Sequence, residues 1–280
     1  MRVESDRRTK NQGWLHILGE SDAAPPLPPK RIVHSHELAP RKRLDRIYST
    51  LVNTHLVLAE EHKQNLVSRG LSEEDIYANG YRSVPTTLYG SNVSRMLSCF
   101  DLRGVPGFYK ERGAWQMVTP GPGFLIPIRD SRNRIRGFQV RRDDDDPRYL
   151  WFSSASKPEG QSSGAPVHFA HPERVEEQES LYITEGALKA DIVAARLCVP
   201  VVGLPGVSTI PEDFGDNLKR RFPGIREVSI AFDADWKRKR SVKAALLNLI
   251  TELRRAGLPT KICRWPARFK GFDDYLTQSV

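Results

Sequence analysis

Cysteine is scarce in this chain. Three residues in 280, Cys99, Cys198 and Cys263, stand far apart. That spacing excludes a disulfide framework and the paired Cys-x-x-Cys of a structural zinc site, so no zinc is expected, and it fits a reducing, cytoplasmic setting. Long apolar runs are missing too: nothing approaches the ~18 residues of a membrane span, and the N-terminus lacks the apolar centre of a secretory signal. No Gly-x-x-x-x-Gly-Lys-Ser/Thr loop occurs, which excludes a P-loop motor. Acid is in deficit, with 43 Lys and Arg against 34 Asp and Glu and a net charge of +9. A basic chain of this kind commonly meets a polyanion, and nucleic acid is the commonest one.

Three regions differ in pattern. Residues 1–40 read as a flexible arm, because Pro25-Pro26-Leu27-Pro28-Pro29 suits neither helix nor central strand. Residues 41–177 read as an α+β unit. Its first part, 41–82, spaces Leu44, Ile47, Tyr48 and Leu51 at helical intervals, with a stop at Gly70 and a new N-cap at Ser72. Its second part, 105–170, reads as an antiparallel sheet with strands at Gly123–Ile128, Ile135–Arg142, Arg148–Phe152 and Val167–Ala170. Asp143 to Asp146 form the loop between two of them.

Residues 178–280 alternate short apolar strands with amphipathic helices. The expected order is strand Leu181–Thr184, helix Ala187–Leu197, strand Val199–Val202, helix Glu212–Arg221, strand Glu227–Phe232, helix Val242–Ala256 and strand Thr260–Arg264. Such alternation specifies a Rossmann-like parallel sheet with helices on both faces, so the fold class is α/β. Ligands of such sheets sit beyond the carboxyl ends of the strands. Two strands there run straight into acids, one into Glu185-Gly186 and the other into Asp233-Ala234-Asp235. If the strands are neighbours, three carboxylates converge and repel one another unless a cation intervenes. Oxygen ligands of this kind suit Mg²⁺ or Mn²⁺ with phosphate groups as further ligands.

Strand-Glu185-Gly186 followed by strand-Asp233-Ala234-Asp235 resembles the Toprim domain shared by DnaG-type primases and topoisomerases. The resemblance widens upstream. Gly123-Phe124-Leu125-Ile126-Pro127-Ile128, then Arg136-Gly137-Phe138-Gln139-Val140-Arg141-Arg142, is similar to the segment that precedes Toprim in bacterial primase cores. Lys270-Gly271-Phe272-Asp273-Asp274-Tyr275-Leu276 continues the likeness, which is nearest to the primase-like Toprim proteins of phages, plasmids and integrated mobile elements. Two departures stand out. Lys189 replaces an acid that cellular primases carry after Glu-Gly, and the zinc-binding module is missing.

The resemblance implies a small α+β primase-like subdomain ahead of a Toprim domain. It implies an Mg²⁺-dependent nucleotidyltransferase that makes primers on single-stranded DNA in replication of a mobile element. Glu185, Asp233 and Asp235 would hold the metal, Lys189 would contact phosphate, and Asp273 and Asp274 would support the site from behind. Arg129, Arg136, Arg141, Arg142, Lys237 and Lys239 are the candidate nucleic-acid or nucleotide contacts. Expected partners are single-stranded DNA or an RNA/DNA hybrid, NTPs, and a separately encoded helicase. A Toprim nuclease and a non-catalytic single-strand-binding accessory are the competing readings.

Overall fold

A computed structural model describes residues 37–143, 147–176, 178–206, 210–211, 213–234 and 240–279. Residues 1–36, Asp144–Asp146, Asp235, Trp236, Lys237, Arg238 and Lys239 lie outside the described residues, and with them most of the expected arm and one of the three candidate carboxylates. Among the described residues, no helix is long and apolar enough to cross a membrane.

The N-terminal portion opens with helices α1 (Arg41–Thr50), α2 (Glu60–Ser68) and α3 (Glu73–Asn79). The stop at Gly70 and the cap at Ser72 are present. Ser72 Oγ accepts from the Asp75 backbone, and the Asp75 carboxylate accepts from Ser72 N in return. Strand β1 (Arg82–Ser83), helix α4 (Thr87–Met96) and the hairpin β2 (Phe108–Glu111)–β3 (Ala114–Met117) follow. Then come β4 (Gly123–Arg129), β5 (Ile135–Arg142) and β6 (Tyr149–Trp151), which form an antiparallel sheet in the order β1-β4-β5-β6. One face of this sheet closes on α1, where Tyr48, Phe108, Phe138 and Phe152 are fully buried.

The C-terminal sheet contains β7 (His168–Ala170), β8 (Ser180–Glu185), β9 (Val201–Leu204), β10 (Glu227–Ala231) and β11 (Thr260–Ile262), in the order β11-β10-β8-β9-β7. Strands β8 to β11 are parallel, and β7 is an antiparallel edge. The helices are α5 (Ala187–Leu197), α6 (Phe214–Arg221), α7 (Arg240–Arg255) and α8 (Phe272–Gln278). Strand β8 alternates as the pleat requires: Leu181 and Ile183 enter the core shared with α6 and α7, while Tyr182 faces α5 and α8. The α/β expectation therefore holds, with one correction. Val167–Ala170, expected in the antiparallel sheet, extends the parallel one, because His168 and Ala170 pair with Gly203 and Val201 of β9.

Helix α5 lies between the two sheets. Ala190, Val193 and Ala194 pack towards β7 and β9, while Ala187, Leu188 and Ile192 meet Phe124, Ile126 and Ile128 of β4. A helix buried on both sides should be apolar all round, yet Asp191 within it is only 2% exposed. Its charge is fully partnered. Tyr81 Oη donates to Oδ2, and His168 Nε2 lies 2.9 Å from Oδ1. The Arg129 backbone N–H donates to His168 Nδ1 at 3.0 Å, so the imidazole proton sits on Nε2 and is given to Asp191. Burial, reinforced by the Asp191 carboxylate, holds the Tyr81 hydroxyl well above the usual tyrosine value, so it remains a donor.

Three stability outcomes follow from this packing. An asparagine at 191 offers one acceptor where two buried donors need one each, so Asp191→Asn should cost about 1–3 kcal/mol. Asp191→Ala should cost about 3–5 kcal/mol, both read from urea unfolding midpoints. At Gly203 a Cβ would stand 2.7 Å from the Gly186 carbonyl oxygen, a backbone atom that cannot swing away. Gly203→Ala should therefore lose about 1–3 kcal/mol in the same measurement.

Candidate functional site

The two acid-terminated strands are neighbours. Thr184 of β8 is in register with Ala231 of β10, so Glu185 and Asp233 emerge side by side at the carboxyl edge of the sheet. Gly186 turns the chain immediately after Glu185, at φ 83° and ψ 152°, a conformation open essentially to glycine alone. That turn points α5 back along the sheet and places Lys189 one helical turn beyond Glu185. The loop after β10 is held by Ala234 N, which donates to the Lys270 carbonyl at 2.9 Å. Gly271 N donates to Asp274 Oδ2 at 3.1 Å and starts α8.

These elements enclose a cleft of about 540 Å³. Four acids line it, Glu185, Asp233, Asp273 and Asp274, together with four cations, Arg69, Arg148, Lys189 and Lys270. The Lys189 ammonium donates to Asp233 Oδ1. Burial works against that charge, but Asp233, Asp273 and Glu185 outweigh it and hold the lysine above its ordinary pKa. Burial pushes the Asp273 carboxyl up, Lys189 pulls it down, and Asp274 and Asp233 push it up again; the net direction is upward. Asp273 Oδ1 is buried and has no hydrogen-bond partner among the described residues. Asp273 and Asp274 both line the cleft, and Asp274 also caps α8.

The donor set fits a hard divalent cation in its chemistry: it is all oxygen, with one buried carboxylate oxygen still unpartnered. Among the described residues, no three His, Cys, Asp or Glu are arranged as a ready metal cage. Lys189 stands on Asp233, and Asp235 lies outside the described residues.

The expected basic residues separate. Arg141 is buried on the cleft side of β5, with its guanidinium 5.4 Å from the Phe124 ring centre. Burial first, then the nearby Arg69 and Arg148 charges, hold it below the usual arginine value. Arg142 lies one residue on, in register with Gly123 of β4. Arg129 is committed to the fold, donating to the carbonyls of Asn79 and Asn133 at 3.1 Å each. Arg136 faces away from the cleft and lines a different cavity. The pairing of β5 with β4 shifts register at this point, between Ile128 and Arg129, so simple strand alternation does not set its direction. Lys237 and Lys239 lie outside the described residues.

Five polar cleft residues were not anticipated: Arg69, Gln139, Arg148, Tyr149 and Lys270. Arg69 carried a readable signal, since it immediately precedes the helix-stopping Gly70 and a loop between helices is an exposed place for a cation. It is tied to α8, where Thr277 Oγ1 donates to its carbonyl at 3.2 Å. Gln139 and Tyr149 were hidden in strand patterns, and only the pairing of β5 with β6 brings them to the rim.

The family described as "Domain of unknown function (DUF3854)" matches residues 173–280. No curated protein matches the chain. Among solved structures, the RNA polymerase domain of Mycobacterium tuberculosis primase DnaG is similar with a TM-score of 0.64 and 15% identity, over 86% of this chain and 82% of that one. A DnaG primase catalytic domain bound to ssDNA is similar with a TM-score of 0.62 and 18% identity, over 85% and 75%. The Aquifex aeolicus primase fragment with zinc-binding and RNA polymerase domains is similar with a TM-score of 0.61 and 19% identity; this chain aligns over 85% of its own length and spans 57% of that fragment. The chain thus has the fold of DnaG-type primase catalytic cores.

Proposed function

We propose that this protein is a primase-like nucleotidyltransferase that extends a primer on single-stranded DNA from NTPs. The observation that carries the reading is the cleft at the edge of β8 and β10, where Glu185 and Asp233 stand beside Lys189, with Arg69 and Arg148 on the same lining. The likeness to DnaG catalytic cores supports polymerisation over other phosphate chemistry, and one of those relatives is described as bound to ssDNA.

On this reading the chain's own residues divide the work. Glu185 and Asp233, with Asp235, would hold Mg²⁺. Bound there, the ion supplies neutralisation of phosphate charge. Lys189, released from Asp233, gives its ammonium to a phosphate oxygen as a compact point charge. Arg69 and Arg148 offer planar forks for the remaining phosphates or for the template backbone. The 3′-oxygen of the primer forms its bond to the α-phosphorus, the bond to the pyrophosphate oxygen breaks, and pyrophosphate leaves. The carboxylates and cations position both partners in line. A mobile-element role and a separately encoded helicase partner belong to the same proposal.

The test is primer synthesis on single-stranded DNA with labelled NTPs, in Mg²⁺ and in Mn²⁺. Wild type should give a ladder of short products, and Asp233→Ala should reduce it by roughly 100-fold or more. No product from wild type in either metal, or as much product from Asp233→Ala, would sink the reading. Cleavage of the DNA in the absence of NTPs would replace it with a nuclease. A second outcome concerns the lysine. Lys189→Met should raise KM for NTP and cut kcat, because its ammonium is assigned to phosphate. Lys189→Arg should recover only part of the activity, since a fork does not replace a point charge on a short reach.

A further inference from the structure

A second cavity of about 430 Å³ opens at the far end of the β4–β5 hairpin. It shares no lining residue with the carboxylate cleft. Arg41 from the start of α1, Arg136 from β5 and Arg221 from the end of α6 all face it. Asp130 is the one acid on its described lining, and that carboxylate is already taken by Arg134, whose Nη2 stands 2.7 Å away, and by the backbone N–H groups of Arg132 and Arg134. Arg221 is anchored, with Nε and Nη2 on the hydroxyl and carbonyl of Ser131.

Arg136 is the informative residue. Its Nε is buried with no hydrogen-bond partner among the described residues. Burial, and then the charge of Arg41 beside it, hold it below the ordinary arginine value. The two guanidinium groups line the same cavity and their like charges repel, and an unpaired buried donor carries a desolvation cost. An anion between them relieves both at once. Apart from Ser131 and the amide of Asn217, the rest of the lining is apolar and includes the rings of Phe169 and Phe214.

We propose that this cavity is a nucleotide-binding site separate from the carboxylate cleft, taking one mononucleotide with its phosphates between Arg41 and Arg136 and its base against the apolar wall of Phe169 and Phe214. The volume lies within the roughly 300–1,000 Å³ range of small-ligand pockets. Guanidinium groups and aromatic rings on one lining offer partners for the two ends of a nucleotide. This site does not depend on the primase reading, because it uses none of the residues assigned there.

The experiment is calorimetric titration of the full chain with ATP in EDTA, which removes any divalent ion from the carboxylate cleft. Saturable 1:1 binding is expected. Arg136→Gln and Arg41→Gln should each weaken it roughly tenfold or more, while Asp233→Ala should leave it unchanged. Arg41 is exposed at the first turn of its helix, so its variant keeps the test readable if Arg136→Gln fails to fold. Inorganic triphosphate should bind at least tenfold more weakly than ATP. Wild-type affinity in both arginine variants overturns the site. Equal affinity for triphosphate and ATP overturns the nucleotide assignment, and so does a dT oligomer that binds through Arg136 where ATP does not compete. Loss of ATP binding in Asp233→Ala assigns the nucleotide to the carboxylate cleft and likewise overturns it.

Discussion

The Asp191 carboxylate, buried in α5 between two sheets, fixes the geometry on which the remainder rests. A lone ionised group in that position would cost several kcal/mol. Here Tyr81 from the helical module and His168 from the edge strand each donate to one of its oxygens. His168 is itself oriented by the backbone of β4. Four separate parts of the chain therefore meet at one charge. None of the four can shift without leaving a buried donor or acceptor unpaired, which gives the joint between the two sheets a directional specificity that apolar packing alone would lack.

The consequence reaches the cleft through helical geometry. Lys189 and Asp191 are two residues apart, so their side chains leave α5 on roughly opposite sides. Fixing Asp191 inward aims Lys189 outward at Asp233. Gly186 sets the entry of the same helix, and the close approach of Gly203 to its carbonyl lets α5 lie against β9. The catalytic reading of Lys189 and the structural role of Asp191 are two uses of one helix orientation.

Much of this was legible in the sequence because it is local or periodic. The helix at Ala187–Leu197 and the strand at Ile135–Arg142 occupy the expected residues. The meeting of Glu185 with Asp233 followed once their strands were taken as neighbours, which the register bears out. What was missed depends on long-range pairing. His168-Phe169-Ala170 reads as a strand in isolation, but nothing local says which sheet it joins; the choice is made by β9. Arg136 is a different kind of miss. The alternation of β5 is interrupted beside it, where the pairing with β4 shifts register between Ile128 and Arg129, so nothing local gives its direction. Asp191 and His168, separated by 23 positions, gave no spacing signal at all.

The balance of charge in the cleft bears on how it would handle phosphate. The resemblance to cellular primases leads one to expect an acid where Lys189 stands. Replacing an acid by a lysine removes one negative charge and adds a positive one. Four described carboxylates then share one cleft with four described cations. A strongly acidic edge admits phosphate only behind a divalent ion, because the carboxylates otherwise repel it. A balanced edge carries fixed cations of its own, so less of the charge neutralisation has to come from metal. On the proposed reading, the lysine trades part of the affinity for metal against direct affinity for substrate, and Asp233 is the residue at which the two compete.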